Sequence, residues 1–184
     1  MANLNTLLQK IEPQNTSGLV MGIGTDKYRR WNYYVCDYEN PWTFLERPFT
    51  SDDVHDFYGF VYLITNLTNQ RLYIGRKVFW FHRKPPGKKR RVKKESDWKV
   101  YYGSSDELKS DVKLLGTDMF RREILSLHKT KGKTNFAETE ALFKNNVLTE
   151  SMPDGTPKYY NSNIMNRYYR KDYFEIWLRY IILL

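Results

Sequence analysis

Cysteine is almost absent from this 184-residue sequence, and the other soft metal ligands are scattered along it. Cys36 is the single cysteine, so a disulfide within the chain and a cysteine-rich zinc site are both excluded. The three histidines, His55, His82 and His128, are far apart in the sequence. The composition therefore argues against a disulfide-stapled scaffold and against a zinc finger.

Long apolar runs are also missing. The N-terminus lacks the charged start and extended apolar core of a signal peptide. Residues 176–184 (IWLRYIILL) are apolar, but they are too few to span a bilayer and Arg179 interrupts them. No lipidation motif or basic amphipathic helix is recognisable. We therefore expect a cytosolic protein with no membrane partner.

The net charge of +9 is concentrated in one segment. Residues 83–94 (RKPPGKKRRVKK) contain eight lysines or arginines and no acid, whereas the rest of the chain holds 22 basic and 21 acidic residues. Such a segment is typical of a polyphosphate contact, because each cation that neutralises a phosphate releases a counterion. A merely solvated loop and a nuclear-localisation signal are the alternatives. The candidate polyphosphate contacts are Arg83, Lys84, Lys88, Lys89, Arg90, Arg91, Lys93 and Lys94.

The clearest local pattern is a pair of short strands. Residues 59–65 (GFVYLIT) and 71–75 (RLYIG) are β-branched and aromatic, and residues 66–70 (NLTNQ) form a polar link between them. Two such runs with an asparagine-rich link predict a β-hairpin.

Downstream, the pattern predicts a helix over 105–115 capped by Ser104 or Ser105, a strand over 119–128, and a helix over 136–147 capped by Asn135. A short helix over 3–11 is also expected. These elements predict an α+β fold in which helices flank a small three-stranded antiparallel sheet. We assign residues 1–57 to an N-terminal arm or cap of unknown role. Residues 58–150 form the main domain with a basic insertion at 82–97, and 151–184 form an aromatic-rich tail.

The hairpin carries two recognisable motifs. Gly59-Phe60-Val61-Tyr62 and Tyr73-Ile74-Gly75 resemble the motif pair that names the GIY-YIG nucleases, with ten residues between the tyrosines. The first motif departs slightly from the family pattern, and the second is intact. The resemblance covers residues 59 to about 148. The basic insertion and the segment WKVYYGSS (98–105) resemble homing-type members carried by phages. If the chain is encoded by a phage, the expected location is the cytoplasm of the host cell.

This resemblance implies hydrolysis of DNA phosphodiester bonds. It makes DNA the expected partner of the basic segment and assigns roles to several residues. Tyr62 is the implied base, helped by neighbouring charge that favours its phenolate, and Tyr73 is the implied orienting phenol. The cation is Arg76 or Arg83, of which the family spacing favours Arg83. A helix carboxylate holds Mg²⁺ or another divalent cation, and Glu140 matches the family pattern better than Glu138.

Several alternatives follow from the residues themselves. Glu138 and Glu140 are two residues apart, so they point about 200° apart on a helix and cannot both face one site. Ser104 is better explained as a helix cap than as a nucleophile. Asn161 and Asn163 could orient site groups, but a turn is the favoured interpretation. Residues 1–57 and 160–184 show no recognisable zinc finger or helix-turn-helix.

The function we expect is a metal-dependent DNA endonuclease of homing type acting on double-stranded DNA. The alternative is a catalytically inactive nucleic-acid-binding module with the same fold, and an RNA-binding or ribosome-associated basic protein is a third possibility. The target sequence, the choice between nicking and double-strand cutting, and the oligomeric state are not readable from the sequence.

Overall fold

The computed structural model describes residues 36–84, 86–87 and 89–173. Its strands, in chain order, are β1 (Thr43–Phe44), β2 (Arg47–Pro48), β3 (Gly59–Asn66), β4 (Leu72–Val78), β5 (Trp80–Arg83), β6 (Val92–Glu95), β7 (Phe120–His128), β8 (Asn163–Ile164) and β9 (Tyr168–Tyr169). Helix α1 spans Asp106–Leu115 and helix α2 spans Lys131–Lys144. Short 3-10 turns occupy Ser51–Val54, Trp98–Val100 and Thr117–Met119.

The main sheet has five strands in the order β2-β1-β7-β3-β4. The predicted hairpin is present as β3 and β4, and β7 pairs antiparallel with β3 on its other side. The α+β class is confirmed, but the expectation of a three-stranded antiparallel sheet is wrong. Two short strands extend the sheet, and β1 runs parallel to β7 through the pair Thr43 and Glu123, which makes the sheet mixed. Two-residue strands show no alternation that a sequence pattern could detect.

The helices agree with the sequence to different extents. Helix α1 begins after Ser105, whose hydroxyl accepts a hydrogen bond from the Leu108 amide, and it ends at Gly116 as expected. Helix α2 begins earlier than predicted. Its cap is Thr130, whose side chain accepts from the Lys133 amide, so Asn135 lies inside the helix and is not the cap.

Each face of the sheet has its own apolar core, because successive side chains of a strand point to opposite sides. Phe60, Tyr62 and Tyr73 belong to the core that includes Leu108 of α1. Val61 and Ile74 belong to the core that includes Leu142 of α2, together with Val147 and Tyr159. The two helices therefore cover opposite faces of the β3–β4 hairpin.

Segments from outside the predicted main domain enter these cores. Trp42 and Phe49 are fully buried against Phe60 and its neighbours, and Tyr160 is buried on the same side. The boundaries at 57 and 150 stay predictions, but both flanking segments contribute buried side chains.

Arg122 of β7 is a buried cation that joins three segments of the chain. Its guanidinium donates to the backbone carbonyls of Asn40, Lys99 and Tyr101, and it is almost completely buried. The ring of Tyr102 lies 4.5 Å from its Cζ atom. Because charge is costly to bury without partners, this network fixes the segment around residues 99–102 against the sheet.

The predicted helix over 3–11 lies outside the described residues, and so do residues 174–184 of the predicted tail. Lys88, one of the expected DNA contacts, is also outside them. Within the described ranges, no helix combines the length and the hydropathy that crossing a membrane requires.

Candidate active site

The hairpin register brings the two motif tyrosines to the same face of the sheet. Tyr62 pairs with Gly75, and Ile64 pairs with Tyr73. Residues opposite one another, and residues two apart on one strand, share a face, so Tyr62 and Tyr73 are diagonal neighbours. Their ring centroids are 6.1 Å apart. The spacing of the two motifs therefore produces a packed pair of phenols.

Gly75 is required by the position of the Tyr62 ring. A Cβ atom on Gly75 would lie 2.5 Å from the Tyr62 hydroxyl oxygen and 2.8 Å from its Cζ atom. Both distances are well below van der Waals contact. The glycine of the second motif thus leaves room for the tyrosine of the first.

Tyr62 itself is fully enclosed. Only 1% of its surface is exposed, and it does not line the cavity that adjoins Tyr73. Burial raises the pKa of Tyr62 well above its ordinary value, and the neighbouring Tyr73, Tyr101 and Glu138 raise it further. The expectation that neighbouring charge favours the Tyr62 phenolate is not met, because these interactions all favour the neutral phenol.

Tyr73 differs from Tyr62 in reaching a polar cavity. Its hydroxyl is hydrogen-bonded to the Ser104 Oγ atom at 2.8 Å. Gly103, with φ +89°, turns the chain so that Ser104 meets the phenol, and a Cβ atom there would lie 2.9 Å from the Tyr73 ring. Ser105 caps α1, which leaves Ser104 available for this contact. Of the two serines predicted as possible caps, Ser105 is the cap, and the explanation of Ser104 as a cap is wrong.

Arg76 and Glu138 approach from the opposite face of the sheet. Arg76 follows Ile74 by two residues on β4, so it points toward α2, where Glu138 lies. Its Nε atom donates to Glu138 Oε2 at 2.7 Å. Burial raises the pKa of the Glu138 carboxyl above its ordinary value, although the charge and hydrogen bonds of Arg76 oppose that shift. Desolvation thus outweighs the ion pair.

The two faces meet in one cavity because β4 is an edge strand of the main sheet. The cavity has a volume of about 320 Å³ and is mostly polar. Its lining includes Tyr73, Arg76, Ser104, Ser105, Glu138, Tyr160 and Asn161. A phenol, a guanidinium and a carboxylate, distant in the sequence, therefore adjoin one space that is open to solvent.

Asn161 closes the edge of β4 beside this cavity. Its side-chain oxygen accepts from the Ile74 amide at 3.0 Å, and its side-chain nitrogen donates to the Ile74 carbonyl at 2.7 Å. The preceding segment pairs with the same edge through the backbones of Leu72 and Tyr160. The sequence favoured a turn at Asn161, and this prediction is wrong. The Asn161 carboxamide instead pairs with the Ile74 backbone as the peptide group of a neighbouring strand would. Asn163 does accept from the Asn166 amide, as expected for a turn.

Two predicted site residues lie away from the cavity. Glu140 is exposed on α2, while Glu138, two residues earlier, faces the cavity. Arg83 is exposed at the end of β5, with its Cζ atom 5.0 Å from the centre of the Phe81 ring. It lines a separate recess with Lys77 and Lys94. The structure therefore brings together Arg76 and Glu138 rather than Arg83 and Glu140.

The basic segment forms a hairpin of its own. Strands β5 and β6 pair antiparallel and form a separate two-stranded sheet. Among the expected DNA contacts, the described residues Lys84, Lys89, Arg90, Arg91, Lys93 and Lys94 are all exposed.

A divalent cation fits one position in this arrangement. The described ranges contain no group of three or more histidine, cysteine or acidic side chains that could form a metal cage. Glu138 is a half-buried carboxylate at the wall of a polar cavity, with hydroxyl and amide groups around it. Mg²⁺ keeps much of its water shell and is commonly held by one or two carboxylates plus substrate phosphates. The donor set therefore suits Mg²⁺ bound together with a phosphate.

An α+β fold whose β3–β4 hairpin carries two paired tyrosine motifs, beside an arginine and a glutamate, has the features of a GIY-YIG domain. The family model described as "Putative endonuclease segE, GIY-YIG domain" matches residues 42–164. Since this match spans more than half of the 184 residues, the chain belongs to the SegE-type GIY-YIG family, a family of nucleases. The comparisons with curated proteins and with solved structures gave no match.

Proposed function

We propose that this protein is an endonuclease that hydrolyses phosphodiester bonds in double-stranded DNA with the help of a divalent cation, as a homing-type member of its family. The observation that carries the proposal is the single cavity shared by Tyr73, Arg76 and Glu138. Phosphodiester hydrolysis needs an oriented water, a cation against the charge that develops on the phosphate, and a ligand for a metal ion. Each of these roles has one suitable side chain at the cavity.

We assign to Tyr73 the role of orienting the attacking water. Its hydroxyl already has one partner in Ser104, which fixes its direction, and it adjoins the cavity. Tyr62 packs against the Tyr73 ring outside the cavity, and burial raises the pKa of its phenol. In this assignment, Tyr62 positions Tyr73 and does not act as the base.

We assign to Arg76 the role of stabilising the charge that develops on the phosphate. Arg83 lines the separate recess with Lys77 and Lys94 and is better suited to holding the DNA backbone. Arg76 is held in place by Glu138, so its guanidinium is oriented before the substrate arrives. A preorganised donor of this kind contributes about 3–4 kcal/mol to transition-state stabilisation.

Glu138 is the residue that would hold the metal ion. When bound, the cation would neutralise charge on a phosphate oxygen and on the leaving group. The same carboxylate is paired with Arg76, so metal and arginine would share it at neighbouring positions around the phosphate.

The proposal is tested by incubating the full chain with supercoiled plasmid, in Mg²⁺ or in EDTA, over plasmids of several sequences. We expect conversion to open-circular or linear DNA in Mg²⁺ alone. A Tyr73→Phe protein purified in the same way controls for contaminating nucleases and should be strongly impaired. If the parent protein leaves all plasmids intact but shifts duplex DNA in a gel, the chain is an inactive binding module. Preference for RNA over duplex DNA at a fixed salt concentration would contradict the substrate assignment.

A further inference from the structure

The basic segment is a β-ribbon whose shape restricts what it can bind. Strands β5 and β6 pair in the register Trp80–Glu95, Phe81–Lys94, His82–Lys93 and Arg83–Val92. They are not hydrogen-bonded into the five-stranded sheet. The ribbon is therefore a sheet of its own: Trp80 at its base packs against the core, whereas His82, Arg83, Lys93 and Lys94 further along it are exposed.

Both faces of this ribbon carry a cation that lies over an aromatic ring. The Lys93 ammonium lies 4.0 Å from the centre of the Trp80 ring on one face. The Arg83 guanidinium lies 5.0 Å from the centre of the Phe81 ring on the other face, which also carries Lys94. A contact with a flat anionic surface would use one face. Cations on both faces suit a position between two rows of phosphates.

The dimensions of the ribbon match one kind of duplex groove. Paired strands lie about 4.8 Å apart, and with side chains a two-stranded ribbon fits the major groove of B-form DNA, which is about 12 Å wide. The major groove of A-form RNA is deep and too narrow to admit such an element. The ribbon thus favours B-form DNA over duplex RNA for a geometric reason.

We propose that the β5–β6 ribbon inserts into the major groove of B-form duplex DNA next to the bond that is cut. This proposal takes its substrate class from the proposed function and adds the mode of recognition. The ribbon lies close to the candidate site along the chain: β5 ends at Arg83, seven residues after Arg76, a span of at most about 25 Å for extended chain. Groove contacts should therefore fall within about one turn of the duplex from the cleaved phosphate.

The experiment uses the position on pyrimidine bases that points into the major groove. Two duplexes of identical sequence are prepared, one with ordinary pyrimidines and one with a bulky alkynyl group on each pyrimidine C5 atom. Binding of the full chain is measured at one salt concentration, in Ca²⁺ to suppress cutting. We expect the modified duplex to bind at least tenfold more weakly, and a minor-groove ligand to leave binding to the ordinary duplex unchanged.

A matched pair of variants assigns the effect to the ribbon. The triple variant Arg83→Ala, Lys93→Ala and Lys94→Ala removes three ribbon cations, and circular dichroism checks its fold. The control triple variant Lys113→Ala, Lys131→Ala and Lys144→Ala removes the same charge from exposed helix positions. The ribbon variant should bind both duplexes weakly and equally, whereas the control should still discriminate at least tenfold.

The outcomes separate this proposal from the proposed function. A parent protein that cuts plasmid but binds both duplexes equally overturns the ribbon proposal alone. A parent protein that discriminates between the duplexes but never cuts supports groove insertion and overturns the nuclease assignment. Loss of discrimination in the control variant as well as in the ribbon variant would also overturn the assignment of groove binding to the ribbon.

Discussion

Arg76 on the edge strand and Glu138 on α2 form an ion pair, with the Arg76 Nε atom 2.7 Å from the Glu138 Oε2 atom. Glu138 is the partly buried carboxylate at the cavity, whereas Glu140, which the family pattern favoured, is exposed. The pair joins the hairpin motifs to the second helix across the face opposite the two tyrosines. Because only Glu138 takes part in this pair, substitutions at Glu138 and Glu140 should affect cleavage differently.

Replacing Glu138 with glutamine should abolish metal-dependent cleavage, while the same change at Glu140 should not. Glutamine keeps the shape of the side chain but removes the charge that would bind Mg²⁺, so we expect a loss of about 100-fold or more in cleavage rate. Rates measured over a Mg²⁺ series distinguish weakened metal binding from a lower maximal rate. Equal losses in Glu138→Gln and Glu140→Gln would contradict the assignment.

The loss of Mg²⁺ affinity at low pH should reflect the raised pKa of the Glu138 carboxyl. A carboxyl whose pKa lies above its ordinary value takes up a proton at a higher pH than an exposed glutamate, and the protonated form holds a cation poorly. Mg²⁺ affinity should therefore fall on acidification before the pH reaches the range in which exposed carboxylates titrate. The check is the apparent Mg²⁺ dissociation constant from pH 8 down to about pH 4.5, the range bounded by ordinary carboxyl titration. An affinity that stays constant throughout would contradict it.

The two motif tyrosines should respond differently to loss of the hydroxyl group. Tyr73→Phe removes the group that adjoins the cavity and should slow cleavage by about 10²-fold, the scale of losing an orienting contact. Tyr62→Phe removes a buried hydroxyl outside the cavity and should cost less activity. Single-turnover rates at saturating Mg²⁺ measure both. A larger effect at Tyr62 would restore it as the base that the family resemblance implied.

Alanine at Gly75 should destabilise the protein through Tyr62. The new Cβ atom would meet the Tyr62 hydroxyl, and overpacking of this kind costs about 1–3 kcal/mol. Urea unfolding measures the loss, and combining Gly75→Ala with Tyr62→Phe should recover part of it. Gly132→Ala is the matched control, because a Cβ atom there meets nothing within 4 Å, and that variant should be as stable as the parent or more so. Full additivity of the Gly75 and Tyr62 changes would argue against the clash.

Removing the guanidinium of Arg122 should be among the most damaging single changes. Arg122→Ala leaves several buried carbonyls without donors and opens a space beside Tyr102, at a cost of about 3–5 kcal/mol. Arg122→Lys should be intermediate, since an ammonium cannot reach all of these carbonyls. Urea unfolding compares both with Arg121→Ala, an exposed neighbour that should change stability little. Near-equal stability of Arg122→Ala and the parent would contradict this account.

The sequence predicts the hairpin well because its signals are local. Alternation and a short polar link define β3 and β4, and the ten-residue spacing then places Tyr62 and Tyr73 on one face. Helix α1 has a capping serine, regular apolar spacing and a terminal glycine, so its bounds are predicted within one residue. These features need no knowledge of the rest of the fold.

Features that depend on distant packing are predicted poorly. The sequence predicts that α2 begins at Phe136, but that ring is 70% exposed, while Thr134, inside the helix, is fully buried. The preference for Glu140 rests on the family pattern alone, because which side of α2 faces the sheet depends on contacts with distant residues. Strands β1 and β2 form only through pairing with β7 and with each other, and the role of Asn161 depends on its contact with Ile74, 87 residues away.

The Asn161 amide also has a consequence for how this protein meets other molecules. A sheet that ends in unpaired peptide groups offers a template on which a foreign strand can assemble. Here one carboxamide satisfies both outward-facing groups of Ile74, and the neighbouring backbone satisfies those of Leu72. This part of the β4 edge therefore has no free peptide groups with which a foreign strand could pair, while the neighbouring cavity stays accessible to a phosphate.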